Sequence, residues 1–78
     1  MLKGKVLDAL NSQLNHEFHS AYHYLAMECY FRSENLKGFA HWARHQYEEE
    51  CEHALKIYSF IHDRDGKVKL DLIAQPPE

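Results

Sequence analysis

Glu50-Cys51-Glu52-His53 is a Glu-x-x-His motif, and Glu17 sits at a matching level in the other long unbroken segment of the chain. Residues three apart share one face of a helix, so Glu50 and His53 can offer a carboxylate and an imidazole to a single point. Counted from the turn near Asn35, Glu17 lies 18 residues before it, and Glu50 and His53 lie 15 and 18 after it. In an antiparallel hairpin the three meet at similar height. A bare carboxylate in a helical core is costly, so it is displaced, protonated, paired or bound to metal. Hard carboxylate oxygens suit both common oxidation states of iron, and an imidazole adds a terminal nitrogen. Dinuclear carboxylate sites in four-helix bundles take one Glu from each of two helices and a Glu-x-x-His from each of the other two. This chain carries half of that inventory, so two copies would supply four glutamates and two histidines. A lone Glu-x-x-His is more often a hydrated helix face. Glu17 at the matching height, and Tyr24 two turns beyond it, set this one apart.

These residues need two long helices to hold them. Pro is absent before Pro76, and Gly occurs only at positions 4, 38 and 66. Two breaker-free stretches result, Lys5 to Arg32 and Phe39 to Asp65. Leu7, Leu10, Leu14, Glu17, Ala21, Tyr24 and Glu28 recur at alternating steps of three and four. Phe39, Ala43, Gln46, Glu50, His53, Ile57 and Phe60 do the same. Both rows are heptad-like seams of the kind that face a partner helix, apolar at their ends and polar in the middle. Ser33-Glu34-Asn35 reads as the turn, with Ser33 or Asn35 capping the second helix. Asp65-Gly66 reads as its stop, with Gly66 at the first position past the end. The expected fold is all-α: an antiparallel two-helix hairpin, about 5–33 and 37–65, followed by an extended tail over 66–78. Residues 1–78 form one half-bundle that dimerises into a four-helix bundle.

The other candidates weigh less. His19/His23 and His41/His45 are i, i+4 pairs, a spacing that can hold Zn²⁺ or Cu²⁺ but more often faces solvent. His16 and His62 carry no signal. Glu48, Glu49 and Glu52 read as a charged outer face, one of which could lead iron inward. Trp42 with Phe39 and Phe60 reads as core, and Cys51 as an inert thiol.

Composition narrows the partners. Seventy-eight residues allow one small domain, which buries only about 60% of its unfolded surface and so leans on metal or self-association. Two cysteines are too few for a disulfide scaffold. Net charge is −3 with scattered Lys and Arg, so no basic stripe suggests nucleic acid. No apolar run approaches a membrane span, and no leader is read at the start, so the expected location is the cytoplasm with reduced thiols. Seven histidines are several times ordinary usage.

Several segments resemble a known family. Leu10-Asn11-Ser12-Gln13-Leu14-Asn15-His16-Glu17, then Ala21-Tyr22-His23-Tyr24-Leu25-Ala26-Met27, are similar to the first helix of the prokaryotic non-haem ferritins. Gly38-Phe39-Ala40-His41-Trp42 and Glu49-Glu50-Cys51-Glu52-His53-Ala54 are similar to their second helix, and Gly66 through Pro77 to the crossover after it. The resemblance implies that Glu17, Glu50 and His53 ligate iron, with Glu50 bridging two ions and Tyr24 standing just behind them. Glu49 matches a glutamate tied to a third, weaker iron site in some members. Cys51 stands where the haem-binding relatives carry a haem-ligating Met, so haem is not expected. The two-helix encapsulated ferritins complete their site by dimerisation, and this chain's architecture resembles theirs. The function implied is ferroxidase activity, Fe²⁺ to Fe³⁺ with O₂ or peroxide, in iron storage or detoxification. Zn²⁺ or Mn²⁺ would be substitute metals. The partners implied are a second copy of the chain and an encapsulating shell. The alternatives are an iron-binding piece without turnover and a purely structural helical oligomerisation module.

Overall fold

The computed structural model describes residues 2–77. Two helices, α1 (Gly4–Ser33) and α2 (Lys37–Asp63), lie antiparallel, and residues 67–77 run back as an extended tail. No strand occurs among the described residues. The seam read on α1 is the one that packs: Leu14, Ala21 and Glu28 are buried, and Leu7, Leu10, Glu17 and Tyr24 are half-buried.

On α2 the packed seam lies one flank over from the expected row. It runs Ala40, Ala43, Tyr47, Glu50, Ala54, Ile57 and Ile61, all buried or half-buried. Phe39, His53 and Phe60, read as seam, are exposed, and so is Trp42, read as core. Both rows satisfy a heptad spacing and share Ala43, Glu50 and Ile57. Small side chains at Ala40, Ala43 and Ala54 let the helices approach closely, which bulky aromatics would prevent. Phe39, Trp42 and Phe60 therefore point to a flank that a single hairpin has nothing to cover.

Both helix ends differ from expectation in one way. Asn35 (φ 57°) and Asp65 (φ 57°) adopt the left-handed conformation just past each helix. The Leu36 amide donates to the Phe31 carbonyl and the Asn35 amide to that of Arg32. The Gly66 amide donates to Ile61 and the Asp65 amide to His62 in the same pattern. These are paired Schellman closures. Asn35 thus ends α1 instead of capping α2, whose N-cap position is Leu36 without a side-chain cap. Ser33 bonds back to the Tyr30 carbonyl at 2.7 Å. Gly66 lies one position later than expected, and what requires glycine there is space. A Cβ would sit 2.9 Å from Ile61 Cγ2 and 3.1 Å from Leu7 Cδ1. Two substitutions should therefore act in opposite directions. Gly66→Ala overpacks a buried contact and should cost about 1–3 kcal/mol. Asp65→Gly relieves a left-handed non-glycine residue and should gain up to about 1 kcal/mol. Urea unfolding followed by circular dichroism measures both.

The apolar core occupies the open end of the hairpin. Leu14, Ala54 and Ile61 are fully buried, with Leu2, Leu7, Leu10, Phe18, Ile57 and Val68 packed around them. Val68 reaches this cluster because two asparagines hold the tail. Asn11 donates to the Lys67 carbonyl (2.9 Å) and accepts from the Lys69 amide (2.8 Å). Asn15 donates to the Lys69 carbonyl (2.8 Å) and accepts from the Asp71 amide (2.9 Å). One turn further, the His19 ring lies 3.1 Å from the Leu72 carbonyl. Asparagine is a poor residue for a helix interior; here its amides stand in for the neighbouring strand that an extended tail would otherwise lack.

Candidate metal centre

Two polar layers interrupt the helix interface, and they are solved differently. Near the turn, the buried Glu28 carboxylate meets Arg32 Nε at 2.9 Å and Arg44 Nη1 at 3.7 Å. Its charge is balanced by two guanidinium groups, and it needs nothing else. At mid-height Glu17 of α1 faces Glu50 of α2 without any arginine or lysine in the group. The nearest possible cation is His53, whose Nδ1 lies 3.8 Å from Glu17 Oε2 and 3.7 Å from Glu50 Oε1. Those separations are too long for hydrogen bonds.

Among the described residues, Glu17, Glu50 and His53 form the group of three donors whose ligand atoms all lie within 4.8 Å of one another. The two carboxylates are largely shielded, at 14% and 21% side-chain exposure, whereas His53 is 53% exposed. The centre therefore opens toward the flank that carries the uncovered aromatics.

The electrostatics follow from two carboxylates forced together. Glu17 is held below the usual carboxylate range, chiefly by the hydrogen bond it takes from Glu50, and further by one from Gln13 Nε2 at 2.7 Å. Glu50 is pushed up, chiefly because it keeps the shared proton against Glu17, and secondarily by burial and repulsion. The imidazoles of His53 and His16 pull both values downward. The two carboxylates thus meet with no arginine or lysine beside them and offer an oxygen-rich donor set that suits a hard divalent ion.

This sets a pH signature for metal-free protein. A raised Glu50 means the folded state holds that proton more tightly than the unfolded chain. Its stabilisation is complete below the ordinary glutamate range and fades as pH rises through the folded value. Glu17, lowered, acts oppositely: its contribution is present above the ordinary range and is lost as pH falls through its folded value. Stability should peak in the weakly acidic window between the two and decline toward neutrality. In chelator, melting should fall as pH rises above the ordinary glutamate value of about 4.3. Glu50→Gln, a permanent donor to Glu17, should flatten that fall and raise neutral-pH stability by about 1 kcal/mol.

The remaining expected site residues fall around this centre. Tyr24 packs edge-on against Trp42, ring centroids 5.9 Å apart, one layer toward the turn. Glu49 does not join the cluster; its carboxylate lies 3.0 Å from His45 Nε2 on the outer face. Cys51 hydrogen-bonds Tyr47, which pushes that phenol above its ordinary range. Three contributors escaped the sequence reading. Gln13 could have been found, because it precedes Glu17 by one helical turn. His16 gave no periodic signal, since it is exposed and acts through its charge. Glu28 was placed in the seam, but its arginine partners were not foreseen. Among the described residues, no helix is long and apolar enough to cross a membrane.

The sequence and the fold are both similar to those of known proteins. The ferritin-like domain family matches residues 7–78. The bacterial non-heme ferritin of Staphylococcus aureus (strain USA300) is 40% identical over 76 residues, which are 97% of this chain and 46% of the relative. That of Staphylococcus saprophyticus is 41% identical over the same shares. Among solved structures, an open-pore ferritin from the hyperthermophilic archaeon Archaeoglobus fulgidus superimposes with a TM-score of 0.92 at 47% identity, over 99% of this chain and 48% of that one. An engineered closed form of the Archaeoglobus fulgidus ferritin gives 0.93 at 47% identity, over 99% and 47%. The chain thus spans about half the length of the relatives it matches.

Proposed function

The chain belongs to the ferritin-like family, and from that premise we propose that it binds Fe²⁺ and oxidises it at a di-iron carboxylate centre shared by two copies of the hairpin. The observation that carries this reading is the contrast between the two polar layers. Glu28 has its guanidinium partners, whereas Glu17 and Glu50 meet each other with only imidazoles nearby. A divalent cation is the partner that mid-seam pair lacks.

In this reading Glu17 and His53 would serve as terminal ligands and Glu50 would bridge. His53 offers Nδ1, the nitrogen that already faces both carboxylates. A metal ion would take the place of the hydrogen bond between Glu17 and Glu50, and the open flank beside His53 gives it a path from solvent. Two Fe²⁺ ions each lose one electron, and one O₂ takes up both with two protons to give H₂O₂. With peroxide as the oxidant, the same two electrons and two protons give two waters. Tyr24, locked against Trp42, keeps the layer behind the ligands packed. A single chain supplies three donors, enough for one ion. A two-fold axis through the exposed flank would duplicate them, cover Phe39, Trp42 and Phe60, and complete a single half-bundle of residues 1–78 into a four-helix bundle. Storage or detoxification of iron inside a surrounding shell is the role that fits this chemistry.

The test is aerobic addition of Fe²⁺ to purified protein with iron analysis. Ferric absorbance should rise, and binding should saturate at about two irons per two chains. Glu50→Ala and His53→Ala should slow oxidation by more than the roughly 10–100-fold that loss of a supporting group costs. Equal rates in wild type and both variants would overturn the reading. Retained binding with no oxidation would leave an iron-binding module, and a metal-independent oligomer would leave a structural one.

A further inference from the structure

Glu17 and Glu28 are shielded carboxylates on the same helix, and they are held in different ways. Both oxygens of Glu28 face guanidinium groups, Oε2 that of Arg32 at 2.9 Å and Oε1 that of Arg44 at 3.7 Å. On Glu17 the helix holds one oxygen: Gln13 Nε2 donates to Oε1 at 2.7 Å. The other oxygen, Oε2, is the atom that faces His53 Nδ1 at 3.8 Å. Gln13 is exposed and is not one of the three converging donors. It lies one helical turn before Glu17, so the helix itself sets the reach of the bond. The donor is also neutral. A lysine or arginine at position 13 would cancel the charge that a cation seeks, as Arg32 and Arg44 do for Glu28. An amide fixes the carboxylate and leaves its charge in place.

We propose that Gln13 is a positioning residue that makes Glu17 a one-oxygen ligand, and so biases the centre toward small transition-metal ions over Ca²⁺. The inference rests on the function proposed above, in which Glu17 binds metal. While Oε1 is held by the Gln13 amide, the carboxylate cannot offer both oxygens to an ion without giving up that bond. Ca²⁺ collects about six to eight oxygens at about 2.3–2.6 Å, often two from one carboxylate. First-row ions, with bonds of about 2.0–2.2 Å, fill their smaller shells from single oxygens and an imidazole. Outer hydrogen bonds that orient a ligand are worth about 10–100-fold in metal affinity.

Gln13→Met keeps the length and helix preference of the side chain and removes the donor. Co²⁺ is titrated through its visible spectrum, Ca²⁺ through its displacement of that spectrum, and Glu17→Ala supplies the background from every other position. Full-length Gln13→Met should bind Co²⁺ at least about tenfold more weakly, with Ca²⁺ affinity unchanged or raised, so the preference for Co²⁺ falls at least about tenfold. Gln13→Glu, equally long but without a donor at neutral pH, should lower the preference too, even as its charge draws both ions in. Infrared difference spectra on adding Zn²⁺ give the ligation mode directly. The wide separation of the carboxylate stretches that marks one-oxygen ligation should narrow in Gln13→Met. Exposed substitutions of this kind disturb folding little, and circular dichroism checks that. A pair that only stabilises the helix would leave both the metal preference and the infrared bands unchanged, and that result would overturn the inference alone. Co²⁺ binding that is the same in wild type and Glu17→Ala would overturn the proposed centre, and the role of Gln13 with it.

Discussion

Wild-type chains mixed with an equal amount of Glu50→Ala chains should oxidise Fe²⁺ at about a quarter of the wild-type rate per total chain, rather than about a half. Random pairing makes about a quarter of the dimers wild type, half mixed and a quarter mutant. If Glu50 from each hairpin bridges one shared centre, a mixed dimer has lost one of the two groups that hold both ions, and its activity falls with the mutant. Independent half sites would leave each wild-type chain working, and the mixture would keep half its rate. The experiment needs chain exchange before assay, which partial denaturation and refolding of the mixture provides. Magnetic coupling between the irons is the companion measurement: it should be present in wild type and absent from the mixed species.

Addition of Fe²⁺ without oxygen, or of Mn²⁺ or Zn²⁺, should raise the melting temperature by about 10–20 °C. Binding only to the folded assembly adds about 2.7 kcal/mol at a hundredfold excess over Kd. In a domain this small each kcal/mol moves melting by roughly 4–8 °C. The metal also removes the standing conflict between Glu17 and Glu50, so folding, pairing and site assembly become one event. Glu17→Ala should abolish most of the rise. His41→Ala/His45→Ala should remove little of it, because exposed histidines that bind metal without burial gain far less. An equal rise in wild type and Glu17→Ala would place the stabilising metal on the surface instead.

The helical hairpin, its turn and the convergence of Glu17, Glu50 and His53 were all legible in the residues. The reason is that a long antiparallel hairpin converts distance from the turn directly into height. Rotation about each helix axis was less legible. Phe39 and Phe60 drew the seam of α2 one flank too far, because a heptad template accepts two adjacent rows and hydrophobicity favours the larger side chains. The alanines at 40, 43 and 54 decided it through closeness of approach, which no hydropathy pattern encodes. The end of α1 fell at residue 33 as expected, but α2 stops at Asp63, two residues early, because Asp65 takes the left-handed turn that Gly66 was expected to supply. The buried charge on Glu28 was resolved by Arg44, a partner sixteen residues away that only the hairpin brings near. The asparagine clamp was invisible, since it requires knowing where the tail goes.

That clamp reads only main chain. Asn11 and Asn15 address the peptide groups of residues 67, 69 and 71, and no side chain of the tail takes part in those bonds. A contact of this kind is blind to sequence, and its pattern repeats every two residues, about 6.6 Å of extended chain. Nothing in the amides themselves distinguishes the observed seating from one slipped by a single repeat, with Leu70 lodged where Val68 now sits. What removes the ambiguity is the closure at the end of α2. Gly66, pressed against Ile61 and bonded to its carbonyl at 2.9 Å, stands immediately before Lys67, whose carbonyl is the first one clamped. The stop of the second helix is thus the zero mark of a ruler along which the rest of the chain is laid.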